Sequence, residues 1–590
     1  MNVFVTLNYD CLSINELIVN LMNRYPIYFQ EPNRLEDIIN HFKLNESDIF
    51  TVIIESDHVD RQYRDSYYSY FSQKYSSFER NCIRLVFFEG KVELKDFTAD
   101  IDALQKRLIG TVVMRPLNVG NIGYTLLDPK KLDIEGYIQT CAFKLMICGR
   151  KFIIKAFPYL SQDNETMTCA ETALYNLIQY YSEKYCEYRI LMPSEILKTL
   201  EDSSYERVLP SHGVDDIFMA KVLQAGHFYP RLYLYNMEED QCFEDIFYSY
   251  IESGIPFIFG LPQHAVICIG HAPVDYKIES YDLETIASCE IIEEHKIFNM
   301  CTSKLIDKYI FMDDNQSPYI VASINDMTTH YAKNIDFSSE FDSEELCEEL
   351  FGEYAYDEED NTSYEEASLY SDEVLNKMKK RFDSLLVPLY KRIFLDASRA
   401  KSIFDEHFLQ NIDFIKNLQT EYLDPTWGSE ANNPLVWRMY LASSNSYKDF
   451  KCKTAPNLEI YEYYSTQSYP RFIWVMEISS IKELSDKKAR VEIILDATSS
   501  RNSDTWAILS ISYKRHLVFV PYIVNSINQD GVETKGEFPE IDFASIDWEN
   551  MGEDVKKSPL IEIFKSLYYN TNDIVPETYD VFVNSNLKEI

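Results

Sequence analysis

Residues 163–181 read DNETMTCAETALYNLIQYY. Within them Thr168-Cys169-Ala170-Glu171 matches the capping box S/T-x-x-E, in which side chains at the two ends satisfy free N–H groups of a helix start. With Thr168 as N-cap, Cys169 is the first helical residue. Ala170, Ala173, Leu174, Leu177, Ile178 and Tyr181 then recur at i, i+3, i+4, i+7, i+8 and i+11. That spacing is one apolar stripe, which a helix buries in a core. Cys169 falls just off the stripe, at the tip, where unbonded N–H groups and the helix dipole favour an anion such as a thiolate. A cysteine in a helix is by default a small buried hydrophobe. A chemical role therefore requires a partner base elsewhere in the chain.

The candidate base is His264, in SGIPFIFGLPQHAVICIGH (253–271), where Pro262-Gln263 precedes a run of strand-forming apolar residues. A histidine opening that strand projects from its end. The candidate third group follows in KYIFMDDNQSPY (308–319), where apolar residues stop at Asp313-Asp314-Asn315. A carboxylate at a strand end can fix the imidazole tautomer. The first aspartate after the run, Asp313, is the better placed, although strict alternation leaves Asp314 open. Upstream, Gln162 in FPYLSQDNETMTC (157–169) offers a side-chain amide. Together with the Cys169 backbone N–H it would form an oxyanion hole.

Glutamine, cysteine at a helix start, histidine opening a strand and aspartate ending the next resembles the papain-like cysteine peptidases. The likeness is to their bacterial branch, similar to the peptidases that process bacteriocin leaders. It spans roughly residues 155–325, about three tenths of the chain. The resemblance implies an α+β fold in which the cysteine helix packs on an antiparallel sheet carrying His and Asp. It implies Cys169 as nucleophile, His264 as general base and then acid, Asp313 or Asp314 as orienting carboxylate, and Gln162 as oxyanion donor. Gln162 stands seven residues before Cys169, where six is usual in that family, and Ala170 stands where glycine is common.

The whole chain has 590 residues, enough for roughly three or four domains. The organisation expected is a mixed N-terminal domain (1–150), the catalytic domain (151–335), an acidic linker or lid (336–375), and a C-terminal domain (376–590) that is helical and then β-rich. In the first part, CIRLVFFEGKVELKDF reads as two strands around Glu89-Gly90, and QYRDSYYSYFSQKY as a packed helix face. No Lys or Arg occurs between Lys333 and Lys377, which marks the acidic span. Residues 378–418 read as helical with a break near Pro388. Four later runs, starting at RFIWVMEIS, read as strands.

Composition narrows the function classes. A net charge of -39 repels phosphate backbones and anionic lipid, so neither nucleic acid nor membrane is the expected partner. A basic protein partner, or plain solubility, fits that surface. No apolar run approaches the roughly 20 residues that span a bilayer, and the N-terminus lacks a basic, cleavable leader. The 12 cysteines form no CxxC pair. That pattern reads as reduced thiols in the cytoplasm and argues against a zinc site built from paired cysteines. With 16 glycines and no phosphate loop, no cofactor is expected. His271 with Cys268, His212, and the strand-end residues Asp496 and Glu477, read as exposed and without partners, suggest no second site. The function expected is a cysteine hydrolase acting on a peptide or isopeptide bond in a protein or peptide substrate. Its alternatives are an acyltransferase or transglutaminase-like enzyme on the same triad, and a degenerate papain-like scaffold for protein binding. Oligomeric state is not readable.

Overall fold

Apolar runs such as IPFIFGL and HAVICIG lack the period-two alternation of a half-exposed strand, and the reason is structural: they lie in a sheet covered on both faces. The structure is a computed structural model. It describes residues 4–10, 14–43, 49–202, 208–209, 211, 214–235, 243–276, 288–292, 295–332, 383–409, 435–455, 458–489, 491–500, 507–513, 516–519, 526–527, 533–534 and 569–570. The architecture is mixed α+β, and nearly all strand pairs are antiparallel. The acidic span 336–375 and His212 lie outside the described residues.

The N-terminal part is an antiparallel sheet in chain order. Its strands are β1 (Phe4–Asp10), β2 (Ile49–His58), β3 (Cys82–Glu89), β4 (Leu108–Met114) and β5 (Leu126–Leu127). Between them run α1 (Ile14–Arg24), α2 (Pro32–Asn40), α3 (Arg61–Ser69) and α4 (Ile101–Lys106). The first part of the tyrosine cluster forms α3, capped by Asp60 accepting from the Tyr63 N–H at 2.7 Å, and Phe71–Gln73 continue as a 3-10 turn. The expected hairpin at Glu89-Gly90 does not form. Only β3 is a strand there, and Leu94–Thr98 is a 3-10 turn, because the Asp96 carboxylate accepts the Glu93 N–H and caps it.

Next come β6 (Tyr137–Ile138), the hairpin β7 (Cys141–Ile147) with β8 (Arg150–Ala156), and α5 (Cys169–Lys184). They are followed by α6 (Pro193–Glu201), α7 (Asp216–Ala225), β9 (Tyr229–Leu234) and α8 (Phe243–Glu252). Then follow β10 (Phe257–Leu261), β11 (His264–His271), β12 (Ser288–Ile292), β13 (His295–Cys301), β14 (Tyr309–Met312) and β15 (Ile320–Ala322). The chain continues with α9 (Ile324–Ala332), β16 (Ser384–Leu389) and α10 (Ala397–Phe404).

The central sheet runs β15-β14-β11-β10-β16-β9, with β6 also pairing to β11. On one face Ile258, Ala265, Ile267, Ile310 and Leu386 enter a core shared with α5 and the N-terminal sheet. On the other, Phe257, Phe259, Val266, Phe311 and Leu385 enter a second core with α8, α9 and α10. That second core also holds Trp437, Trp474 and Ile493 of a C-terminal sheet. Its strands include β17 (Leu435–Ser443), β18 (Phe472–Ser480) and β19 (Val491–Asp496), and β12 and β13 join its edge.

Residues 384–389 correct the helical reading of the stretch around Pro388. They form β16, inserted between β10 and β9. Pro388 lies opposite Pro230, so neither residue of that pair has an N–H to lose. Helix resumes only at α10, capped by Asp396 accepting from the Arg399 N–H at 3.0 Å. Glu477 corrects a second expectation. It is buried in mid-strand rather than exposed at a strand end, opposite Arg438 on β17. Arg438 Nη2 donates to it at 2.8 Å and the Tyr440 hydroxyl at 2.8 Å. Asp496 does end β19 but is also buried, and accepts the Thr498 N–H at 2.8 Å.

Candidate active site

Helix α5 starts at Cys169, with Thr168 as N-cap. The Thr168 N–H donates to Glu171 Oε2 at 3.1 Å, and the Thr168 and Ser211 hydroxyls donate to the same carboxylate. Glu171 is fully buried, and these donors satisfy its carboxylate oxygens there. The buried face is wider than the apolar stripe. Thr172, Tyr175, Asn176 and Tyr180 are enclosed as well, because α5 lies between the central sheet and the N-terminal part. Cys169 remains half-buried at the tip.

His264 begins β11 directly after a two-residue turn. Pro262 fits the first central position, and Gln263 has φ 53° at the second, as a type II turn requires. Strand β14 pairs with β11 through Ile267 and Met312, and continuing that register sets residues 313–315 beside His264. The Nε2 atom of His264 lies 2.9 Å from Asp313 Oδ1 and 3.6 Å from Asp314 Oδ1. Asp313 is further held by the Asn315 N–H at 2.9 Å, by Gln316 Nε2 at 3.1 Å and by the Tyr331 hydroxyl. The Tyr331 ring, from α9, also stacks on the imidazole, with centroids 4.0 Å apart and planes 20° from parallel.

Burial alone would lower the His264 pKa. Hydrogen bonds to Asp313 and to the Cys169 side chain, with the charges of Asp313 and Asp314, outweigh it and raise the group to about 10. Burial pulls Asp313 upward, but the hydrogen bond and charge of His264, then Tyr331 and Asn315, hold it below the usual carboxylate range. Asp314 goes the other way. Burial raises it to about 7, with Asp313 reinforcing and His264 opposing. The arrangement thus separates the two aspartates left open by the sequence: Asp313 is the hydrogen-bonded partner of the imidazole, and Asp314 stands behind it.

Gln162 is brought to the same place, but its amide Nε2 donates to Asn315 Oδ1 at 2.6 Å. One of its two N–H bonds therefore ties the cysteine loop to the aspartate loop. The loop between Gln162 and Cys169 is closed around Asp163, whose Oδ1 accepts the N–H groups of Glu165, Thr166 and Met167 at 2.7–2.9 Å. Asn164 takes a left-handed φ of 56° to make that turn. From below, buried Arg115 donates to the carbonyls of Ser161, at 2.7 Å, and Gly120. Arg34 of α2 donates to the Asp314 carbonyl at 2.9 Å.

Tyr331, Asn315, Gln316, Arg34 and Arg115 carry no motif, and sequence reasoning did not find them. Among the described residues, the donor atoms of His264, Asp313 and Asp314 lie within 4.8 Å of one another and could hold a metal ion. His271 and Cys268 do not form such a group. His271 Nδ1 bonds to the Ala272 carbonyl at 2.6 Å, its Nε2 faces Glu252 at 3.4 Å, and the Cys268 thiol faces the Gly270 carbonyl. No described helix is long and apolar enough to cross a membrane. Compared with known proteins, the chain matches no family model, no curated protein and no solved structure.

Proposed function

We propose that this protein is a cysteine hydrolase of papain-like architecture that cleaves a peptide or isopeptide bond. The observation that carries the reading is the position of the His264 imidazole, hydrogen-bonded to the Asp313 carboxylate at 2.9 Å, with the thiol at the tip of α5 among the groups that raise its pKa. Asp313 takes Nε2, and the reading assigns Nδ1 to the sulfur. An imidazolium there is the ion-pair partner that a nucleophilic thiolate needs.

In the proposed reaction Cys169 Sγ attacks the carbonyl carbon. The developing oxyanion is met by the Cys169 N–H, in the unbonded first turn of α5, and by the second N–H of the Gln162 amide. Collapse breaks the C–N bond, and His264 gives its proton to the departing amine. Water then attacks the thioester, losing its proton to His264, and the acid leaves with Cys169 restored. The eight described cysteines are all unpaired, which suits the reducing cytoplasm we infer as the site of action.

The test is to incubate wild type and Cys169→Ala with a peptide library and sequence the new N-termini. The reading expects processing by wild type that falls at least about a thousandfold in the variant. Equal processing by both proteins, or none by either, contradicts it.

A further inference from the structure

Asp314 is the residue that a Cys-His-Asp triad does not explain. Asp313 already orients the imidazole, yet a second carboxylate stands 3.6 Å from the same nitrogen. Asp314 is only 5% exposed, and its Oδ2 has no hydrogen-bond partner among the described residues. A buried carboxylate oxygen without a donor is costly, and such a cost points to an absent ligand.

We propose that His264 Nε2, Asp313 and Asp314 form a binding site for one zinc-type divalent cation, and that its occupancy switches the Cys169 site off. The donor atoms are within 4.8 Å of one another, with Nε2 at 2.9 and 3.6 Å from the two carboxylates. Tetrahedral zinc, with bonds of about 2.0–2.1 Å, sets its ligand atoms about 3.3 Å apart, between those two distances. One imidazole nitrogen with two carboxylates suits zinc and its first-row neighbours, whereas magnesium and calcium prefer oxygen shells of six or more. Two carboxylates in a dry site also match the double charge of the ion. Asn315, Gln316 and Tyr331 hold Asp313, and Arg34 holds the Asp314 backbone, so the donors are fixed before the ion arrives.

The consequence for the thiol follows from the two ring nitrogens. The cation forms a bond to Nε2, and the proton on Nε2 leaves to solvent. Nδ1 keeps its hydrogen, now the only proton on the ring, so giving it to the departing amine would leave an imidazolate, and the step that expels the amine is blocked. No electron is transferred. This consequence rests on the proposed roles of Cys169 and His264, but binding of the ion does not.

The experiment titrates the full chain with Co2+ as a spectroscopic probe, in wild type, Cys169→Ala and Asp314→Asn, and then displaces it with Zn2+. The proposal expects one equivalent with the visible bands of a tetrahedral nitrogen–oxygen site and no sulfur charge-transfer band. The bands persist in Cys169→Ala, and affinity falls at least about tenfold in Asp314→Asn. Circular dichroism reports whether Asp314→Asn folds, and His264→Gln, expected to lose the bands, replaces it if it does not. Wild type without these bands overturns the proposal, as does binding unchanged in the substituted protein or bands dominated by sulfur. In a parallel assay Zn2+ stops hydrolysis and EDTA restores it. Hydrolysis without Co2+ binding overturns the cation site alone, and Co2+ binding without hydrolysis overturns the hydrolase reading alone.

Discussion

At His264 two opposing forces meet. Burial favours the neutral ring, while Asp313, Cys169 and Asp314 favour the imidazolium, and they raise the group to about 10. An unfolded histidine titrates near about 6.5. Between those values the folded chain binds the proton more tightly than the unfolded chain does. The stabilisation is therefore complete below about pH 6.5 and is lost as pH rises towards about 10. Urea unfolding across that range, for wild type against His264→Gln, should show a difference that shrinks with rising pH; a flat difference contradicts the ion pair. Tyr331 is a positioning residue in the same argument. Tyr331→Phe keeps the stacked ring but removes a donor to a charged carboxylate, an interaction worth about 1.5–3 kcal/mol. We expect kcat to fall about tenfold with KM unchanged. At this scale the sequence revealed residues that stand at element boundaries, namely Cys169 after a cap, His264 after a turn and Asp313 after a strand. Tyr331 was hidden because it is one of 44 tyrosines and reaches the site from a helix with no pattern of its own.

Among the elements, α5 was readable to its first residue, since the capping box is a local signal and its donors are all within reach of Glu171. Glu171→Ala removes the shared acceptor of the Thr168 N–H and of the Thr168 and Ser211 hydroxyls, and should cost about 2–3 kcal/mol. Thermal unfolding checks this, and alkylation of Cys169 should slow in step with it. The Gln162 loop gives a second prediction. Gly120 has φ 65°, and a Cβ there would sit 1.7 Å from the Gln162 carbonyl oxygen. Gly120→Ala must push that loop away, so hydrolysis should fall further than Cys169 alkylation does, because the oxyanion donor moves while the thiol does not. Equal losses would place Gln162 outside the chemistry. Strand β16 was not readable. SLLVPL is buried on both faces, so it shows no alternation, and its pairing partners lie over 120 residues away.

Across the whole molecule, the sheets exchange strands. The central sheet takes β16 from beyond the acidic span, while β12 and β13, from between His264 and Asp313, complete the C-terminal sheet. One core runs from Phe259 and Phe311 through to Trp474 and Ile493. Long-range pairings of this kind leave no local trace, which is why the division of the chain was less legible than its site. A fragment of residues 151–335 lacks β16 and the far half of that core. It should therefore show no cooperative unfolding transition, whereas the full chain should; a cooperative fragment would contradict this packing.

The central claim is the coupling of Cys169 to His264, and thiol reactivity tests it most directly. Burial raises Cys141 to about 12 and Cys148 to about 11, and sets Cys82, Cys268 and Cys301 well above the usual thiol range. Exposed Cys186 serves as the internal standard. Treatment with iodoacetamide at about pH 6, followed by peptide mapping, should label Cys169 ahead of Cys186 in wild type and lose that preference in His264→Ala. Labelling of Cys169 no faster than Cys186, or a preference that survives His264→Ala, would contradict the account.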